Sequence, residues 1–245
     1  MEYNPAGYGD LWDEIYDDEH AANDPSAAVA FLADLADGGR VLELGIGTGR
    51  IALPLSELGV TVTGVDSSSA MVQRLQRKAG GRQVEVLIGD MASCELGGPY
   101  RLAFVAFNTI FTLADQESQF SCFRNVVRAL EPDGRFVVEC FVPDPERFRD
   151  GDQAVRAIPG SSSQRFRLNV SLHSPIEQRV ESDVWMVRDG RIEVLPITLR
   201  YIWPSEMDLM AQLAGLDLDA RFGNWERGPF GAFSTSHVSV YRLRP

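Results

Sequence analysis

The stretch "RVLELGIGTGRIALPL", Arg40 to Leu55, begins as an apolar run, breaks into three glycines at alternate positions and resumes in helix-compatible residues. A strand that passes through a glycine-rich turn into a helix N-terminus leaves backbone N–H groups unpaired and pointing outward, and glycines let a ligand approach them. Gly45, Gly47 and Gly49 are therefore read as a ligand cradle at the first βα turn.

Working outward, Val29 to Phe141 alternates short apolar runs with helical segments, the pattern of a parallel sheet covered on both faces. "RVLEL", "VTVTGVD", "VEVLIGD", "LAFVAF" and "GRFVVEC" read as strands. "GRIALPLSEL", "SSSAMVQRLQRKA" and "QESQFSCFRNVVRAL" read as helices by their three- and four-residue apolar steps. Pro132-Asp133-Gly134 punctuates the last helix-to-strand return. Beyond Phe141, "VPDPERFRDGDQAVRAIPGSSSQ" reads as loop. "VESDVWMVRDGRIEVLPITLRYIW" then alternates around Asp189-Gly190, a hairpin signal. "PSEMDLMAQLAGL" reads as a helix opened by Pro204 and Ser205 and closed at Gly215, followed by the strands "LDLDARFGNW" and "SHVSVYRL". Ahead of the sheet, "YGDLWDEIYDDEH" and "PSAAVAFLADLAD" read as two helices. The first is strongly acidic and is either a solvated face or a lid over the site. The expected organisation is an N-terminal helical lid (1–38), a Rossmann-like α/β core (39–142), a loop and antiparallel β insertion (143–203), and a final helix with a strand pair completing the sheet (204–245).

Composition narrows the function. A formal charge of -12 opposes binding to a phosphate backbone, so a small-molecule substrate is expected rather than nucleic acid. No apolar run reaches membrane-spanning length and the first residues do not read as a signal peptide, which leads to the expectation of a cytosolic chain without membrane contact. The three cysteines, Cys94, Cys122 and Cys140, form no C-x-x-C pair, so neither a zinc site nor a disulfide framework is expected. Lys78 is the sole lysine, which disfavours Schiff-base and Tyr-x-x-x-Lys chemistry.

Two ligand classes compete for the glycines. Read from Gly47, "GTGRIA" fits the G-x-G-x-x-A dinucleotide fingerprint, with Asp66 spaced for a ribose contact. Read from Glu43, the stretch is E-x-G-x-G-x-G, and it resembles motif I of class I S-adenosylmethionine (SAM) dependent methyltransferases. Asp66 at the end of the second strand, Asp90-Met91 after the third, Asn108 in "FNTIFTL" after the fourth and "LEPDGRFVVE" entering the fifth match that family in order. The resemblance implies Asp66 on the ribose hydroxyls, Asp90 and Met91 at the adenine with Met71 as a second polarisable wall, and Asn108 at the floor of the methyl-donor site. Gly45 and Gly47 would admit the methionine chain, with Glu43 balancing the cationic end, and Ile46 and Ser67 are further candidate cofactor contacts.

The whole-chain pattern resembles small-molecule N- and O-methyltransferases of natural-product pathways. Aminosugar N,N-dimethyltransferases share a pair of N-terminal tyrosines, here Tyr8 and Tyr16, which by resemblance close over the methionine end. This chain departs from those enzymes where their histidine after strand four aligns with Thr112 and a second-helix tyrosine aligns with Pro25, so the aminosugar substrate does not carry over.

Methyl transfer from a sulfonium is an in-line displacement that needs alignment more than acid–base machinery. An amine requires a proton acceptor only afterward, whereas an alcohol requires a base during attack. His20, His173 and Glu139 are candidate bases, none in a diagnostic motif. Thr112, Arg200, Trp203 and Trp225 are candidate acceptor contacts. The expected function is SAM-dependent methylation of an N or O atom of a small metabolite, with homodimer formation left open. The alternatives are a SAM-binding protein that does not methylate, whether regulator or pathway cyclase, and a nicotinamide oxidoreductase.

Overall fold

The computed structural model describes residues 4–144, 153–159, 166–188 and 191–244. The chain divides into two compact units, Met1–Val142 with Trp203–Pro245, and Pro143–Ile202.

In the first unit a seven-stranded sheet contains β1 (Val41–Leu44), β2 (Val62–Asp66), β3 (Glu85–Ile88), β4 (Tyr100–Val105), β5 (Leu130–Phe141), β10 (Leu216–Phe222) and β11 (Ser236–Leu243). Their order is β10-β11-β5-β4-β1-β2-β3. Strands β1 to β5 run parallel, and β11 joins β5 and β10 antiparallel. The order reverses beside β1, so the carboxyl ends of β1 and β4 border the crevice where such sheets take ligands. Helices α3 (Ser26–Ala36), α4 (Ala52–Glu57) and α5 (Ser69–Arg77) share one apolar core with the sheet, built from Phe31, Leu32, Leu55, Leu75, Phe104 and Val137 among others. On α6 (Gln116–Ala129), Phe123 packs edge-on against Phe136 and Tyr241. Helix α7 (Pro204–Ala214) carries proline in its first turn and ends at Gly215 with φ 102, as its sequence implies.

The second unit is a four-stranded antiparallel sheet of β6 (Gln153–Pro159), β7 (Phe166–Ser174), β8 (Arg179–Arg188) and β9 (Arg191–Arg200). Strands β8 and β9 pair out to Arg188 opposite Arg191, while the turn dipeptide Asp189-Gly190 lies outside the described residues.

Two expectations are corrected. The segment 142–164 contains β6, since ladder bonds to β7 override a loop-like composition. The acidic N-terminal helix is broken into α1 (Gly7–Trp12) and α2 (Tyr16–Glu19), with the Ile15 N–H turning back to the Trp12 carbonyl at 3.1 Å. Trp12 and Ile15, on either side of the break, are both buried. Among the described residues, no helix is long and apolar enough to cross a membrane.

Candidate active site

The glycine turn has the backbone conformation its spacing implies but not the expected free donors, because the protein itself takes them: the Gly45 N–H donates to the Val65 carbonyl at 2.8 Å, the Gly49 N–H to the Ile46 carbonyl at 2.9 Å and the Gly47 N–H to the Asp66 carboxyl. Gly45, Gly47 and Gly49 all have positive φ, at 70, 54 and 78, where side chains are disfavoured. Their roles nevertheless differ. A Cβ on Gly45 would lie 2.3 Å from the Thr109 methyl and one on Gly49 would lie 2.9 Å from Leu75, whereas one on Gly47 meets nothing within 4 Å. Gly45 and Gly49 serve close packing, and Gly47 faces open space. The Gly47 N–H donates to Asp66 Oδ2 at 2.7 Å and the Ser68 N–H to Oδ1 at 2.8 Å, tying the end of β2 to the turn. Burial pushes the Asp66 carboxyl up, these N–H groups pull it down, and Asp10 pushes it up further. A carboxylate has about four acceptor sites, so lone pairs remain for a ligand. Ser68 also caps α5 by accepting from the Met71 N–H at 3.2 Å, and the Met71 side chain is buried beneath it. After β3, Asp90 accepts from the Ala92 N–H at 2.8 Å, and the Met91 carbonyl is held by the Asn125 amide at 3.1 Å.

The acidic N-terminal residues are fastened over this turn. The Ser68 hydroxyl donates to Asp10 at 2.6 Å, Arg74 pairs with Asp13 at 3.2 Å, and Lys78 pairs with Asp17 at 2.8 Å. Asp17 also accepts from the Thr48 hydroxyl at 2.6 Å, while Lys78 donates to the Thr48 carbonyl at 2.9 Å. The Ser67 hydroxyl donates to the Pro5 carbonyl at 2.6 Å. Three acids at helical spacing thus meet α5 and the glycine turn, so this face is a bonded strap rather than a solvated one. Tyr8 stacks on Trp12 with ring centroids 5.5 Å apart.

Tyr16, Glu43, Gly45, Ile46, Arg50, Ile51, Ala106, Phe107 and Thr109 line a pocket at the carboxyl ends of β1 and β4. Glu43 is 5% exposed, and its Oε2 has no hydrogen-bond partner among the described residues. Burial drives its carboxyl well up, with Arg50 and the Ala52 N–H opposing. Burial likewise raises the Tyr16 hydroxyl, against the nearby Arg50. The Arg50 guanidinium lies 3.9 Å from the centroid of the Phe107 ring and donates to the Asn23 carbonyl at 3.3 Å. Sequence reading did not single out Arg50 or Phe107. A signal for Arg50 existed, since a cation at a helix N-terminus opposes the macrodipole and needs carboxylates nearby.

The remaining candidates fall into separate places. His20 lies with its ring 4.5 Å from Tyr16 and 5.4 Å from Phe107. Glu139 accepts from the Phe107 N–H, and Asn108 Oδ1 accepts from the Phe141 N–H at 2.6 Å. Burial raises the Glu139 carboxyl, with the Phe107 N–H and Arg50 opposing. The Thr112 hydroxyl donates to the Thr109 carbonyl at 2.7 Å within a 3-10 turn, Thr109–Thr112. Trp225 packs edge-on against Phe31, 5.4 Å away, and Trp203 opens α7 by accepting the Met207 N–H at 2.9 Å. Within the second unit, His173 Nε2 lies 3.0 Å from the Tyr201 hydroxyl and Arg200 donates to Gln178 at 3.4 Å.

Residues 41–134 match the family described as "Methyltransferase domain". Over the full length the chain is similar to the solved CcbJ methyltransferase from Streptomyces caelestis, at 38% identity and TM-score 0.91, covering 99% of this chain and 100% of that one. It is 26% identical to the cypemycin N-terminal methyltransferase of Streptomyces sp, over 97% of this chain and 98% of that protein. SAM-bound CalS10, an amino pentose methyltransferase from Micromonospora echinaspora, shares the fold at TM-score 0.70 and 21% identity, over 94% and 97% of the two chains. The chain belongs to the class I SAM-dependent methyltransferases.

Proposed function

We propose that the pocket between Glu43 and Arg50 takes the methionine end of SAM and that the methyl group passes to an N or O atom of a small natural-product-like metabolite. The carrying observation is that a buried carboxyl and a guanidinium line one pocket at the glycine turn. Glu43 brings a buried carboxylate oxygen without a partner among the described residues, suited to an ammonium, and Arg50 brings a guanidinium suited to a carboxylate. A dinucleotide pyrophosphate would meet Glu43 as a like charge, which argues against the nicotinamide alternative.

The other cofactor contacts extend this reading along the family resemblance. Gly47 leaves the space beside its Cα open to the ligand while its N–H is held by Asp66, and Asp66 accepts from the ribose hydroxyls with the lone pairs left by Gly47 and Ser68. Asp90, Met71 and Met91 hold the adenine, Ile46 lines the pocket beside the methionine chain, Ser67 adjoins the ribose residue Asp66, and Tyr8 and Tyr16 cover the cofactor from the strap. When bound, SAM supplies a methyl carbon on a positively charged sulfur, and departure of the neutral thioether balances the new bond to the acceptor. The protein's task is alignment and exclusion of water. Among the candidate bases, Glu139 is engaged by a backbone N–H, and His20 is the imidazole that stands against the lining residues Tyr16 and Phe107. This arrangement favours an amine acceptor, whose proton leaves after transfer, over an alcohol. The name of the cypemycin enzyme, which refers to an N-terminus, supports the same preference.

Calorimetric titration with S-adenosylhomocysteine and separately with NADH, repeated on Asp66→Ala, tests the cofactor reading. Binding of the homocysteine product alone, lost in the variant, is expected; binding of NADH instead would overturn it. Transfer of labelled methyl to amine and alcohol acceptor panels then tests the preference.

A further inference from the structure

The turn that follows β4 is conformationally expensive. Phe107 and Asn108 are consecutive non-glycine residues in the left-handed region, with φ 61 and 62. Asparagine tolerates this region through its short polar side chain, but phenylalanine has no such compensation. The surrounding structure must therefore hold the turn, and the end of β5 does so at three points. The Phe107 N–H donates to Glu139 Oε2 at 2.5 Å, the Asn108 N–H to the Glu139 carbonyl at 3.3 Å, and the Phe141 N–H to Asn108 Oδ1 at 2.6 Å.

The strained residue carries the ring that matters. Phe107 lies face-on to Arg50 at 3.9 Å, a distance at which the ring's negative face attracts a cation, and meets the His20 ring edge-on at 5.4 Å. Strain that persists at a ligand pocket is maintained by the structure around it.

We propose that Glu139 is a positioning residue rather than the base: its carboxyl buckles the turn after β4 so that Phe107 supports Arg50 against the methionine carboxylate of SAM. This rests on the cofactor reading above. Either protonation state of the carboxyl can accept the Phe107 N–H, so the role belongs to the acceptor oxygen and not to the charge. Glutamine retains that oxygen; alanine does not.

The test compares binding of S-adenosylhomocysteine with that of 5′-methylthioadenosine, which lacks the amino-acid end, by calorimetry on the full chain. Wild type is expected to bind both. Glu139→Gln stays within about threefold of wild type for both ligands. Glu139→Ala loses about tenfold or more for S-adenosylhomocysteine while changing by less than threefold for methylthioadenosine. General loosening of the fold would weaken both ligands alike, so the selective loss followed by rescue in glutamine marks a positioning role. An equal loss in Gln and Ala, a loss on both ligands, or no loss in Ala each overturns the proposal. If Glu139→Ala does not fold, Phe107→Leu keeps the backbone bond and removes the ring; the same selective loss is expected, and its absence overturns the proposal. Wild type that binds neither ligand defeats the cofactor reading itself, a result distinct from any variant pattern, and this proposal fails with it.

Discussion

Gly45 and Gly47 show how two identical residues two positions apart divide between packing and ligand. Gly47→Ala adds a methyl in open space at φ 54, so the backbone cost is ~1–2 kcal/mol and the fold survives. S-adenosylhomocysteine affinity is expected to fall by about tenfold or more, because the methyl occupies ligand space. Gly45→Ala drives its methyl to 2.3 Å from Thr109, adding overpacking of ~1–3 kcal/mol to the same backbone cost, and should lower the melting temperature more than Gly47→Ala does. Thermal melts beside titrations separate the two. Glu43 gives the opposite trade. Its folded carboxyl is raised above its ordinary value of 4.5, so the folded state binds the proton more tightly than the unfolded state. Stability is therefore highest below about pH 4.5 on this group's account and declines as pH rises through the folded value. Glu43→Gln keeps an acceptor for the Ala52 N–H. It is expected to raise the melting temperature at neutral pH by ~2–4 °C, with the gain vanishing in acid, while weakening S-adenosylhomocysteine. A melting temperature that drops at neutral pH would show that the pairing with Arg50 outweighs desolvation.

At the scale of elements, the N-terminal strap is held by Asp10, Asp13 and Asp17 on Ser68, Arg74 and Lys78. The side chains of the two ion pairs are 23–40% accessible, so each pair contributes on the order of 1 kcal/mol or less and is screened by salt. Lys78→Met or Asp17→Asn is expected to increase hydrogen exchange in residues 7–20 severalfold without a matching change in β1 or β4. Burial pushes the Asp17 carboxyl up, but hydrogen bonds from Lys78 and Thr48 bring it net below its ordinary 3.8. The latch is then fully formed above about pH 4 and is lost as pH falls through the depressed folded value. Exchange in the strap that ignores both pH and salt would refute an ionic latch. The strap was only half legible in sequence. Acids at helical spacing were visible, whereas their partners lie some 58 to 61 residues away and are brought together by the packing of α1 and α2 on α5.

For the whole molecule, a net charge of -12 means that self-repulsion opposes compactness over the surface while individual ion pairs favour it locally. Raising sodium chloride from low to moderate concentration should therefore raise the global melting temperature while accelerating exchange in the strap. The two readouts move in opposite directions if charge acts at these two scales as described. Parallel movement would place the strap pairs in the global stability rather than in a local latch.

The sequence by itself determined the sheet, the glycine turn and the acids that end its strands. These rest on local periodicity and on backbone conformations that few residues adopt, and both are written within ten or twenty positions. It also carried the family, through ordered matches from Glu43 to Glu139. It did not disclose that Glu139 serves the backbone of Phe107, that Arg50 sits on that ring, or that 153–159 pairs as a strand. Only the tertiary structure decided these, because each depends on which distant group reaches a buried donor, cation or strand edge. Burial makes an unpaired polar group costly, so the partner is selected by the fold and not by its neighbours in the chain.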